Sequence, residues 1–124
     1  KDSSYNLFET LKIDNFSMLP GSESKLLYGL KNGCSGIITA TCNVTSKLAR
    51  KVYDDFHNNI EQSENEKLCK VRAVFDQFNL VSALHTLMST KETSYNNILP
   101  PISILDKEKK DKLIVELNAL NFKI

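Results

Sequence analysis

Arginine is nearly absent: the 124-residue chain has only Arg50 and Arg72 beside 14 lysines. Arginine is the side chain that grips phosphates and base edges with two parallel hydrogen bonds, so its scarcity argues against a nucleic-acid partner. Charge of one sign is lacking too. The formal net charge is +1, which leaves no field to draw the protein to a membrane, a nucleic acid or an acidic partner. No apolar run approaches the ~20 residues that cross a bilayer, and no signal-peptide pattern is visible. Cysteines are few. Cys34, Cys42 and Cys69 are an odd number without metal-ligand spacing, which reads as reduced thiols in a cytoplasmic protein. Cys42 lies in an apolar run and reads as packing rather than a nucleophile. Asn43-Val44-Thr45 matches the glycosylation sequon, but nothing else points to secretion.

What is present is a pattern of alternating elements. Leu7, Phe8, Leu11 and Ile13 follow a helical period over residues 6–13, with Asn6 as its cap and Asn15 as its breaker. Residues 16–19, closed by Pro20-Gly21, predict a short buried strand. Ser22 caps a helix with Leu26, Leu27 and Leu30 inside, ended by Asn32-Gly33. Residues 36–42, GIITATC, are β-branched and apolar, as in a strand buried on both faces of a parallel sheet. A helix capped by Thr45 or Ser46 then runs to about Asn58. The triplet Ser24-Lys25-Leu26 is echoed at Ser46-Lys47-Leu48. Alternation of this kind predicts βα units.

The second half is helical. Residues 64–89 carry apolar side chains at spacings of three and four, from Leu68 to Met88, and predict one long helix. Residues 90–97 are polar and loop-like, Leu99-Pro100-Pro101 reads as extended, and Asp106 caps a last helix containing Leu113, Ile114, Leu117 and Leu120. Lys107, Lys109, Lys110 and Lys112 fall on its wet faces. Two strands do not make a stable sheet by themselves, so further strands are expected before Lys1. The predicted domains are 1–60, the βα units, and 61–124, a helical extension.

Three motifs then fall into order. Lys1-Asp2-Ser3-Ser4, Pro20-Gly21-Ser22-Glu23 and GIITATCNV at 36–44 resemble, in sequence and spacing, the sixth, seventh and eighth strand ends of the dihydrodipicolinate synthase / N-acetylneuraminate lyase family. Residues 78–85 and Pro100-Pro101-Ile102 resemble that family's C-terminal helices. The resemblance implies an α/β fold: the C-terminal part of a (β/α)8 TIM barrel followed by an α-helical extension, with the N-terminal part of the barrel missing. It implies a class I lyase or aldolase that cleaves or joins C–C bonds of pyruvate or a 2-keto acid. The fragment alone is then expected to be inactive.

By this resemblance Lys1 is the catalytic amine. A protonated imine is an electron sink for the neighbouring carbanion, and a free lysine, with a pKa near ~10.4, must be perturbed to attack. Gly21 matches the substrate-facing loop, where a glycine allows close backbone approach. The helix starting at Ser22 directs N–H groups toward an anion. Ser3 and Glu23 match positions that contact the variable end of the substrate, Ile38 matches a residue lining the pyruvate pocket, and Thr39 falls at the same strand ends. No metal or organic cofactor is implied, and the complete protein is expected to be a homo-oligomer, a tetramer by the family pattern.

Ala40 stands where sialic acid lyases are expected to have serine, which argues against that substrate. The helix also lacks the proline-rich turn of the lysine-pathway synthase, and its 78–85 stretch looks more like the sugar-acid aldolase and dehydratase branch. The family's catalytic tyrosine, carboxylate-binding arginine and Thr-Thr or Gly-Ser-Thr loop would lie upstream; Tyr5, Tyr28, Tyr53 and Tyr95 do not match the tyrosine. Plainer readings stand beside these: Gly21 as a turn residue, Glu23 as a first-turn helix charge, and His57 and His85 as helical residues without partners. The rival functions are a small helical interaction domain without chemistry and an inactive barrel fragment.

Overall fold

The computed structural model describes residues 1–4 and 6–124; Tyr5 lies outside them. The chain forms two compact units, Lys1–Cys69 and Lys70–Ile124.

The first unit starts from a short parallel ladder. The Asp2 N–H donates to Leu19 O at 2.8 Å, and the Gly21 N–H donates to Asp2 O at 2.8 Å. These bonds make a parallel bridge between Asp2 and Pro20. On the other side, the Ser35 N–H donates to Met18 O and the Ile38 N–H to Pro20 O, both at 3.1 Å. Three extended segments therefore lie side by side in the order 1–2, 18–20, 35–38.

The expected strands at 16–19 and 36–42 do not form as such. Among the described residues this one bridge is the only β pairing, and the named elements are helical. A strand exists through its neighbours, and one buried on both faces needs several. Phe16 is 59% exposed and Ile38 50% exposed, so neither segment is covered as the sequence pattern suggested.

Helix α1 (Leu7–Thr10) is shorter than predicted, and Asn6 makes no side-chain cap bond. Asp2 takes over that task. Its Oδ2 accepts from the Leu7 N–H at 2.7 Å, and its Oδ1 accepts from Ser4 N–H and Oγ. The chain then turns at Asn15, whose φ is 57°.

Ser22 acts as the expected cap, for a 3-10 turn (Glu23–Lys25) that leads into α2 (Leu26–Lys31). Asn32 and Gly33, with φ 85°, end α2 as predicted. Helix α3 (Cys42–His57) begins three to four residues before the predicted caps, directly after Thr41. Its Val52 and Ala49 meet Leu26 and Leu30 of α2 and Leu68 in one core, with Leu27, Ile37, Leu48 and Phe56 packed against it. Burying each such leucine contributes about 1.5–3 kcal/mol.

Where one long helix was expected over 64–89, there are two: α4 (Asn65–Phe75) and α5 (Leu80–Met88). Asn79 opens α5, its side chain accepting from the Ser82 N–H at 3.1 Å; this is ordinary N-capping. In the second unit α5 packs on α6 (Lys107–Ala119) and on a 3-10 turn (Thr93–Asn96). That turn falls in the stretch read as a loop. Pro100 and Pro101 lie in a turn rather than an extended segment. Asp106 caps α6 as predicted, accepting from the Lys109 N–H at 2.9 Å. Among the described residues no helix is long and apolar enough to cross a membrane.

Candidate active site

The ladder fixes where the assigned residues lie. Asp2 is bonded on one side to Leu19 and Gly21, while Pro20 is bonded in turn to Ile38. The backbones of the three motifs are thus brought together at one end of the ladder. Their side chains differ in access. Lys1 and Ser3 are exposed and Gly21 is buried. Ser22 is 2% exposed, with its Oγ 2.9 Å from Ser24 Oγ. Ile38 is half exposed, Thr39 partly buried, and Glu23 fully buried.

Among the assigned residues, Glu23 and Thr39 touch through their side chains. Glu23 Oε2 accepts from Thr39 Oγ1 at 3.0 Å. Its Oε1 accepts from Thr41 Oγ1 and, at 2.9 Å, from Thr45 Oγ1. The Thr39 and Thr41 hydroxyl oxygens are 3.0 Å apart. A carboxylate without solvent is costly unless its lone pairs are filled, and hydroxyl donors to a charged acceptor are among the stronger hydrogen bonds. Thr41 was not singled out from sequence, and Thr45 only as a candidate helix cap. Their signal was available: residues four apart share one face of a helix, and this pair follows Thr39 at the end of the GIIT run.

The charge on Glu23 is felt nearby. Burial, and then the Glu23 carboxylate, pushes the Cys69 thiol above its usual range. Cys34 is likewise pushed up by burial, with Lys12 opposing and Asp2 adding to the shift.

An anion site at the start of the Ser22 helix is not built as expected. The segment is a three-residue 3-10 turn followed by a six-residue helix, too short to align many peptide dipoles. Ser22 Oγ itself takes the Ser24 N–H, at 3.4 Å. The histidines sit on backbone carbonyls: His57 Nδ1 is 3.0 Å from Tyr53 O, and His85 Nδ1 is 2.9 Å from Tyr95 O. An open groove of about 890 Å³, lined by Leu19, Leu26, Ile37, Cys42, Ala49 and Tyr53 among others, contains none of the assigned residues. It runs along the free side of the 35–37 segment and α3.

The fold defined by this ladder and its helices is found within (β/α)8-barrel enzymes. The N-acetylneuraminate lyase of Proteus mirabilis matches 99% of this chain with 43% of its own, at a TM-score of 0.77 and 18% identity. A dihydrodipicolinate synthase of Bacillus anthracis matches 94% of the chain with 40% of its own, at a TM-score of 0.77 and 15% identity. YagE, a prophage protein from E. coli K12 solved in complex with pyruvate, matches 87% with 38% of its own, at a TM-score of 0.70 and 19% identity. At such identity the likeness is one of fold. The chain spans only 36% to 43% of the length of the structures it matches.

The chain belongs to the dihydrodipicolinate synthetase family, whose model matches residues 2–120. Its relatives of known structure include synthases and lyases, as their names state. None of the curated proteins compared with the chain matches it.

Proposed function

We propose that residues 1–60 are the last βα units of a (β/α)8 barrel and residues 61–124 its helical extension, in an imine-forming lyase acting on pyruvate or another 2-keto acid. Lys1 is the nucleophile. Its Nζ attacks the keto carbon, water leaves, and the resulting protonated imine takes up the electron pair of the breaking C–C bond. In the condensing direction the same imine loses a proton to become an enamine that attacks a carbonyl. The proton-transferring group comes from the rest of the barrel.

Around the imine, the Gly21 backbone and Ser22 form one wall, Ile38 lines the pyruvate end, Thr39 stands at the strand end beside it, and Ser3 lies toward the variable end. The observation that carries this reading is the ladder. The residue after Lys1 is bonded to the segment ending in Gly21, and that segment to Ile38; this linkage supports reading the three motifs as neighbouring strand ends, where barrel enzymes work. Two further observations support it: family membership and the pyruvate bound by a structural relative. The uncovered apolar groove beside residues 35–37 is where the first βα unit of the barrel would close the sheet. The complete protein is taken to be a cytoplasmic homo-oligomer.

The test is borohydride reduction of the complete protein in the presence of pyruvate, read by intact mass. A covalent reduced-imine adduct that disappears in Lys1→Arg is the expected result. An unmodified mass in the parent protein would remove the lyase reading and leave the non-catalytic ones.

A further inference from the structure

We infer that Glu23 is a positioning residue, locking the Gly21–Ser22 loop to the end of the 35–39 segment and the start of α3, rather than a contact to the substrate. The inference rests on the imine reading above and assigns a role within that site.

Glu23 has no exposed surface, so its carboxylate does not present itself to a ligand. What it meets instead is hydroxyl from three consecutive pieces of chain: Thr39 at the segment end, Thr41 in the turn, and Thr45 in the first turn of α3. A carboxylate buried in this way holds its donors in fixed directions, because losing it removes the acceptor that the three hydroxyls share and leaves them to one another and to the Thr41 carbonyl. The backbone repeats the same link, since the Ile38 N–H reaches back to Pro20 O. Glu23 is thus the side-chain half of a clasp whose backbone half joins residues 20 and 38.

The start of α3 carries a mark of this. Thr41 occupies the cap position yet makes no side-chain cap bond; its hydroxyl is turned to Glu23. Thr45 lies against the same carboxylate oxygen and also within 3.0 Å of Thr41 O. A helix start that gives up its cap for a carboxylate on another segment is organised around that carboxylate.

The experiment uses pyruvate, which has no variable end, and the single-turnover rate of borohydride-trapped imine in the complete protein at saturating pyruvate. A residue that touched only the variable end would leave this rate alone. A positioning residue changes it, because small displacements at a reacting centre cost large factors. Glu23→Gln and Thr41→Val are each expected to slow trapping roughly tenfold or more, by the same reasoning. Thr41→Ser, which keeps the hydroxyl, is expected to restore it. The double variant is expected to be no slower than the slower single one, because both break one network. Where Glu23→Gln fails to fold, the Thr41 pair decides by itself. Trapping at the parent rate in Glu23→Gln, or in Thr41→Val with only a lowered melting temperature, overturns the inference and leaves Glu23 a stability residue. No trapping in the parent protein removes the imine reading, and the inference with it.

Discussion

In the unit Lys1–Cys69 the path of the chain is set by buried polar groups, whereas in Lys70–Ile124 helices are held largely through apolar side chains. The first unit buries Asp2, Ser22, Glu23, Thr41, Thr45 and Asp55. Asp2 and Glu23 each collect several donors, and each sits beside a motif assigned to the site. The second unit buries fewer polar side chains, Arg72, Ser82 and Thr86, and places Phe75, Ala83, Leu113 and Leu117 at 2% exposure or less. Hydrogen bonds have direction and hydrophobic burial does not. The contrast therefore suggests a division of labour: the first unit aims groups, and the second supplies bulk stability.

The sharpest way to break this division is a deletion in the second unit. Leu113→Ala removes a fully buried side chain and is expected to cost about 3 kcal/mol in urea unfolding, with no change in the pyruvate trapping rate of the folded protein. A parallel loss of trapping would erase the distinction. Next comes Asp2→Asn in the first unit. It replaces one acceptor oxygen by a donor facing Leu7 N–H or Ser4, at a cost of about 2 kcal/mol. Unlike Leu113→Ala, it is expected to slow trapping, because Asp2 holds the chain directly after Lys1.

Thr86→Val is the matching polar deletion in the second unit. It strands the Leu105 N–H, now bonded to Thr86 Oγ1 at 2.9 Å, and is expected to cost about 1–2 kcal/mol in the same unfolding assay without touching trapping.

Much of the helical frame was legible because its signals are local. Ser22 and Asp106 cap where their side chains predicted, and Asn32-Gly33 ends α2. The break between α4 and α5 was not legible from periodicity, because the apolar spacing runs through residues 76–79 without interruption. The readable sign was Asn79 three residues before Ser82, a cap inside what looked like one helix. The 36–42 run misled in another way. Its β-branched residues fit a strand, but the hydroxyls of Thr41 and Thr45 answer a carboxylate some twenty residues away, and a contact of that range leaves no periodic trace. For the site, order and spacing pointed to Lys1, Gly21 and Thr39; the ladder bonds Gly21 itself and, for the other two, their neighbours Asp2 and Ile38. That Glu23 lies fully inside depends on packing, which the sequence pattern does not carry.

Two smaller effects follow from titration. Cys34 and Cys69 have thiol pKa values raised mainly by burial, so alkylation by iodoacetamide near neutral pH is expected to be slow at both until the protein is unfolded. Because the folded values are raised, the stability these thiols lend is present below the ordinary thiol range and fades as pH climbs through the folded values. Asp106 moves the other way: hydrogen bonds from the Lys109 side chain and backbone hold its carboxyl below the usual range. Its contribution is present above the ordinary carboxylate pKa and is lost as pH falls through the folded one. Asp106→Asn is therefore expected to flatten slightly the acid limb of a melting-temperature profile, the smallest of these changes because the pair is exposed.

Peptide mapping of the borohydride-reduced pyruvate adduct tests the imine assignment most directly, because the chain has 14 lysines on which an adduct could form. The adduct is predicted on Lys1 alone. An adduct on any other lysine, or a protein recovered without one, would contradict the assignment of the strand-end site.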